Sequence, residues 1–171
     1  SLYMQTEAYT PLVELLRQDL QRLDDDDSEA RIALLRQIAA VYRDRAQSNT
    51  ALLTVLTQIV QIDEGDVDAV RGLIQVYESL SRWRDLLNMQ RKLARLTDNH
   101  VEKVSLLRAV ARRWTEQFSN VQNAIASYEE LMTAEPEDVE AQEKLRELYK
   151  KRRAWPKLYV LYEKQLGTYA D

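Results

Sequence analysis

Apolar residues recur every three or four positions along nearly the whole chain, the period of a helix with one buried face. Ile32, Leu35, Ile38, Ala39 and Tyr42 form such a face across residues 29–46, and Val70, Leu73, Ile74, Tyr77 and Leu80 form another across 67–80. Val104, Leu107, Val110, Ala111 and Trp114 repeat it across 101–118, as do Leu145, Leu148 and Tyr149 across 139–152. A second apolar stretch follows each of these, near 49–62, 83–96, 120–134 and 154–168. Asn49, Ser81 and Asn120 suit the starts of these second stretches as caps, and Pro156 suits a first turn. Asp66 and Asp138 stand where the helices after them need caps. The pattern predicts nine helices joined by connections of a few residues, so that neighbours run antiparallel.

Shifting the chain by 72 residues lays it on itself. Val67, Ala69, Leu73, Tyr77, Trp83 and Leu86 fall on Val139, Ala141, Leu145, Tyr149, Trp155 and Leu158. Leu34, Leu35, Arg36, Ala39 and Asp66 fall on Leu106, Leu107, Arg108, Ala111 and Asp138, and Tyr42 falls on Trp114. The repeat is two helical hairpins, a longer one and a shorter one. Their expected bounds are 29–66, 67–100, 101–138 and 139–171 within a single solenoid spanning 1–171. Residues 1–28 read as the second helix of an earlier, partial unit, because Tyr9, Leu12 and Leu15 echo Trp83, Leu86 and Met89. A lone hairpin cannot bury its apolar face, and stacked hairpins can.

Ala124, Tyr128, Leu131 and Pro136 read A-x3-Y-x2-L-x4-P, which resembles the second helix of the tetratricopeptide repeat and the proline after it. Tyr77 and Tyr149 match that family's first-helix aromatic, and Leu73 and Leu145 its apolar position four residues earlier. The resemblance covers residues 29–171 and implies an all-α, right-handed α-α superhelix, a TPR-like solenoid. The chain departs from the family pattern at three places. Val70 and Gln142 replace its early tryptophan. Arg36, Ile74, Arg108 and Arg146 replace the small residue where two helices approach. Leu86 and Leu158 replace the second-helix alanine.

Composition agrees with an all-helical fold. Three glycines and three prolines are few against the roughly 20 of an average chain of this size, too few to turn a multi-stranded sheet. With no cysteine, disulfides, cysteine metal sites and a cysteine nucleophile are excluded; the compartment stays open, cytoplasmic by default. A net charge of −4 advertises neither nucleic acid nor an anionic membrane as partner. No apolar run approaches the roughly 18 residues of a membrane span. Gly-rich phosphate loops, G-x-S-x-G elbows and H-E-x-x-H pairs are missing, so the sequence predicts no enzyme and no cofactor.

Four local features invite chemistry, and each has a plainer reading. His100 is the only histidine and has no paired ligand, so it reads as a boundary residue. Asp24–Asp27 lack the alternation and glycine of a calcium loop and read as a solvated turn before a helix start. Lys150–Arg153 close a helix, where cations suit the dipole; an acidic partner is the alternative. Trp83, Trp114 and Trp155, with Tyr42, stand in phase with leucine and valine and are expected in the core rather than on a stacking platform.

The family resemblance implies that first helices line a concave groove and hold a protein segment there. Carried onto this chain, the groove residues are Ala30, Ala33, Gln37, Arg71, Gln75, Glu102, Arg112, Glu143, Glu147 and Lys150. Ala30, Ala33 and Ala40 are the expected pocket for an apolar anchor. Arg71 and Gln75 resemble part of a carboxylate clamp, but Leu106, Glu140 and Lys144 stand where the rest would be needed, and no clamp is expected. Two functions follow. One is a scaffold binding a protein or peptide in the groove. The other is a structural spacer, or a segment self-associating through its terminal helices, of a longer solenoid.

Overall fold

The computed structural model describes residues 9–168. Among them are nine α-helices and no strand: α1 (Thr10–Arg22), α2 (Ser28–Val41), α3 (Asn49–Ile62), α4 (Val67–Ser79), α5 (Trp83–Leu96), α6 (His100–Glu116), α7 (Val121–Ala134), α8 (Val139–Arg152) and α9 (Trp155–Thr168). This is the all-α class that the spacing predicts. Residues up to Lys92 form one compact unit and those from Leu93 a second. In the first, α1 packs on α2, α2 on α3 and α3 on α4; in the second, α6 packs on α7, α7 on α8 and α8 on α9.

The 72-residue period reaches into the backbone. Asp27 and Asn99 cap α2 and α6, Ser48 and Asn120 cap α3 and α7, and Asp66 and Asp138 cap α4 and α8. Each side chain accepts from the amide three residues on, which satisfies one of the donors a helix start leaves unpaired. Asn49 is thus the first residue of α3 and Ser48 its cap, one position earlier than expected. Each hairpin turn holds one residue in the left-handed region: Gln47, Ser81, Ser119 and Arg153, at φ 47°, 54°, 48° and 55°. Ser81 therefore does not cap α5 but makes the turn before it. The longer hairpins close their first helix with more backbone. A π-helical turn, Tyr42–Ala46, extends α2, and α6 runs for 17 residues.

Burial follows the helical phase. Leu35, Ile38, Leu52, Leu56, Ile59 and Leu73 centre the core of the first unit. In the second unit, Leu107, Val110, Trp114, Tyr128, Leu131 and Leu145 are buried. The tryptophans correct the expectation. Trp114 is in the core and Tyr42 is half-buried, but Trp83 is 41% exposed and Trp155 58%. Both open their helices, where a side chain projects back over the preceding turn rather than onto the packed face. The buried face starts three residues later, at Leu86 and Leu158.

Four non-glycine residues in the left-handed region carry a steric cost that glycine lacks. Replacing Ser119 by glycine is expected to stabilise the chain by about 0.5–1 kcal/mol, measured by urea denaturation. A destabilised Ser119→Gly variant would show that this turn depends on the serine side chain and not on its backbone conformation.

Candidate functional site

Two arginines that the sequence comparison reads as departures sit at equivalent places and meet equivalent aspartates. Arg36 Nη2 donates to Asp66 Oδ2 at 2.7 Å, and Arg108 Nη2 donates to Asp138 Oδ2. The other oxygen of each aspartate accepts from the helix it caps, from the Ala69 amide at 2.9 Å and the Ala141 amide at 2.8 Å. Both aspartates are buried. Burial pushes the Asp138 carboxyl up, but the Arg108 hydrogen bond, the Ala141 amide and the charges of Arg108 and Arg112 outweigh it, and the pKa falls below the usual value. Neither arginine is a small residue allowing close approach; each reaches across to the next hairpin's cap. The signal was present in the sequence, since the 72-residue match holds for Arg36 and Asp66 together.

Close approach occurs elsewhere. A Cβ on Gly72 would lie 2.9 Å from the buried Leu56 side chain, so glycine lets α4 press on α3 there. Beside it, Arg71 and Gln75 border a cleft of about 460 Å³ together with Arg36, Arg43 and Asp68. Its apolar lining comes from Ala39, Leu56, Ile59, Ala69 and Gly72. Of the residues predicted for this unit, the cleft gathers Arg71 and Gln75. Ala33 and Gln37 are exposed and Ala30 half-buried, and none of them lines it; nor does Ala40. Asp68, also a first-helix position of the expected groove, lines the cleft too; Arg43 and Gly72 were not foreseen.

In the second unit a cleft of about 420 Å³ is lined by Arg108, Arg112, Glu135, Glu137, Asp138, Val139 and Glu140. Arg112 is occupied there: its Nε donates to Glu140 Oε1 at 2.6 Å and its Nη2 to Oε2, a two-pronged pair. The hydrogen bond to Glu140 raises the Arg112 pKa, and the same bond lowers that of Glu140. Glu102 accepts from the Thr97 hydroxyl at 2.7 Å. Glu143 faces Arg146 along α8 at 4.0 Å, Glu147 pairs with Lys144 at 3.2 Å, and Lys150 is exposed. Only Arg112 of these five lines the cleft.

A roomier cleft of about 940 Å³ lies among α7, α8 and α9, with Met132, Pro136, Val139, Leu145, Val160 and Leu161 as its apolar part. Glu129 ties its rim together, accepting from the Tyr149 hydroxyl at 2.8 Å and from Lys157 Nζ at 2.7 Å. Burial and then the Glu129 hydrogen bond raise the Tyr149 pKa. His100 Nε2 lies 3.0 Å from the Ala134 carbonyl oxygen, a link at the hairpin boundary. Among the described residues no cluster of acidic, histidine or cysteine groups could hold a metal ion, and no helix is long and apolar enough to cross a membrane.

No family model matches the sequence, and no curated protein matches it. Solved structures do resemble it. MamA is 13% identical, with 93% of this chain and 90% of that one covered and a TM-score of 0.43. A Podosopora anserina kinesin-light-chain-type protein with nearly identical TPR-like repeats is 16% identical, with 94% and 87% covered and a TM-score of 0.45. A substituted variant of that protein is also 16% identical, with 99% and 92% covered and a TM-score of 0.46.

The depressed carboxyls of Asp138 and Glu140 make stability depend on pH. A lowered folded pKa gives stability that is fully present above the unfolded value, about 4, and lost as pH falls through the folded one. The chain is therefore expected to lose stability below about pH 4, and an Asp138→Asn/Glu140→Gln double variant to lose less over the same range. Urea midpoints as a function of pH measure this; parallel curves for the two proteins would contradict it.

Proposed function

We propose that this chain is a protein-interaction module and that its most selective contact is the cleft of the first unit, which takes an acidic, partly apolar protein segment. The observation that carries this reading is the chemistry of the cleft. Arg43 and Arg71 border it with Arg36, which is paired with Asp66, and with one acid of the lining, Asp68, over a floor that includes Leu56 and Ile59. Guanidinium groups recognise carboxylates by paired hydrogen bonds, and an apolar floor gives an aliphatic side chain somewhere to go. The charges alone would give weak binding, because surface ion pairs contribute about 0–1 kcal/mol each and salt screens them beyond about 8 Å. The anchor is thus assigned to the floor beside Gly72 and not to Ala30, Ala33 and Ala40. Gln37 belongs to the proposal as a polar flank in the first unit; Glu102, Glu143, Glu147 and Lys150 are proposed only as polar positions on the second unit's own first helices, and Arg112, held by Glu140, as a structural residue.

A labelled peptide with several aspartates around one leucine is a suitable probe, read by fluorescence anisotropy. Arg71→Glu is expected to weaken binding about tenfold, salt to weaken it further, and Gln75→Trp to block it by filling the cleft from an exposed position. Binding that survives Gln75→Trp but is lost on Gln142→Trp would move the site to the apolar cleft of the second unit and overturn this assignment.

A further inference from the structure

The second helices of the hairpins carry two apolar faces, about 100° apart around the helix. On α5, Leu86 and Met89 mark one face and Leu87, one residue after Leu86, marks the other, where Gln90 stands in place of a second apolar residue; Leu86 and Leu87 are both buried. Helix α1 repeats this register with Leu12 and Leu15, then Val13 and Leu16. Helix α9 repeats it with Leu158 and Leu161, then Tyr159 and Tyr162. The two terminal helices bury opposite faces. In α1, Val13 and Leu16 join the core of the first unit while Leu15 is 53% exposed and Leu12 also open. In α9, Leu158 and Leu161 are buried, while Tyr159 is 64% exposed with Trp155 and Tyr162 on the same side. Each exposes the half that the other buries.

We propose that a second copy of this chain covers both faces: the Leu12–Leu15 side of α1 in one copy docks on the Trp155, Tyr159 and Tyr162 side of α9 in another. Charge supports this occupant and sets the direction. Helix α1 leads into Asp24–Asp27, and α9 follows Lys150–Arg153. Antiparallel docking, the arrangement of successive helices in the repeat, puts the acidic run opposite the basic one. Asp25 is held by Arg31 and Asp27 caps α2, while Asp24 and Asp26 are exposed, as are Lys150, Lys151 and Arg153. Opposite runs attract at close range and weaken with salt. The contact joins two different surfaces, and every copy keeps one of each open. Association is therefore head to tail, growing into open chains or closing into rings. The inference is independent of the cleft proposed above.

Sedimentation velocity of the 171-residue chain tests it, with Leu15→Glu and Tyr159→Glu variants whose folding is checked by far-ultraviolet circular dichroism. If either loses helix, Leu12→Lys and Trp155→Glu replace them. The chain is expected to form species that grow with concentration and shrink with salt. Each variant is expected to be a monomer, and their equimolar mixture a dimer that grows no further, since one supplies an intact α1 and the other an intact α9. A monomeric parent chain at every soluble concentration would overturn the proposal. So would loss of association in Tyr159→Glu but not Leu15→Glu, which means α9 pairs with itself, or a mixture that stays monomeric.

Discussion

Two buried aspartates join one hairpin to the next, and each does so with both carboxylate oxygens. One oxygen caps the incoming helix; the other accepts from an arginine on the first helix of the hairpin before. Neither contact alone would justify the burial. A cap contributes about 1 kcal/mol, whereas removing a carboxylate from water costs several. Together with an arginine that stays partly in water, both carboxylate oxygens are hydrogen-bonded while the guanidinium keeps much of its hydration. The side chains of Arg36 and Arg108 are 57% and 36% exposed, those of the aspartates 3% and 4%. The pair thus costs less than a salt bridge buried at both ends.

This arrangement accounts for features that helical period alone does not. It fixes where α4 and α8 begin, and so which of their residues face inward: Ala69 and Ala141, the first buried positions after each cap, are the residues whose amides the aspartates accept from. It also draws Arg36 and Arg108 to the edges of the two charged clefts. The clefts differ because the outer charges differ. In the second unit Glu140 claims Arg112, while in the first its counterpart is the shorter Asp68, and the counterpart of Arg112 is Ala40. Arg43 and Arg71, whose counterparts are Thr115 and Glu143, make the first cleft richer in arginine, while the second is internally neutralised.

Much of this was legible in the sequence. The helical period located the nine helices of the described residues, and residue type at the expected helix starts located the caps Asp66, Asn120 and Asp138, because both signals are local. Side-chain destinations were less legible. Trp83 and Trp155 look like core residues by phase, yet phase does not say that a helix's first residue lies outside the packed stretch. Arg36 and Arg108 look like misfits by family pattern, because a pattern of single positions does not register a partner 30 residues away. Ala30, Ala33 and Ala40 look like a pocket by size, but the apolar lining comes from Ala39, Leu56, Ile59, Ala69 and Gly72, and the role of Gly72 depends on how closely two helices approach.

The central claim is that each arginine and its capping aspartate act as one unit. A double-mutant cycle on Arg108→Ala and Asp138→Ala, with stabilities from urea denaturation at pH 7, measures it directly. The account predicts a favourable coupling of about 1–2 kcal/mol, above that of an exposed ion pair, and a similar value for Arg36 and Asp66. Additive single-site effects, with a coupling near zero, would contradict it.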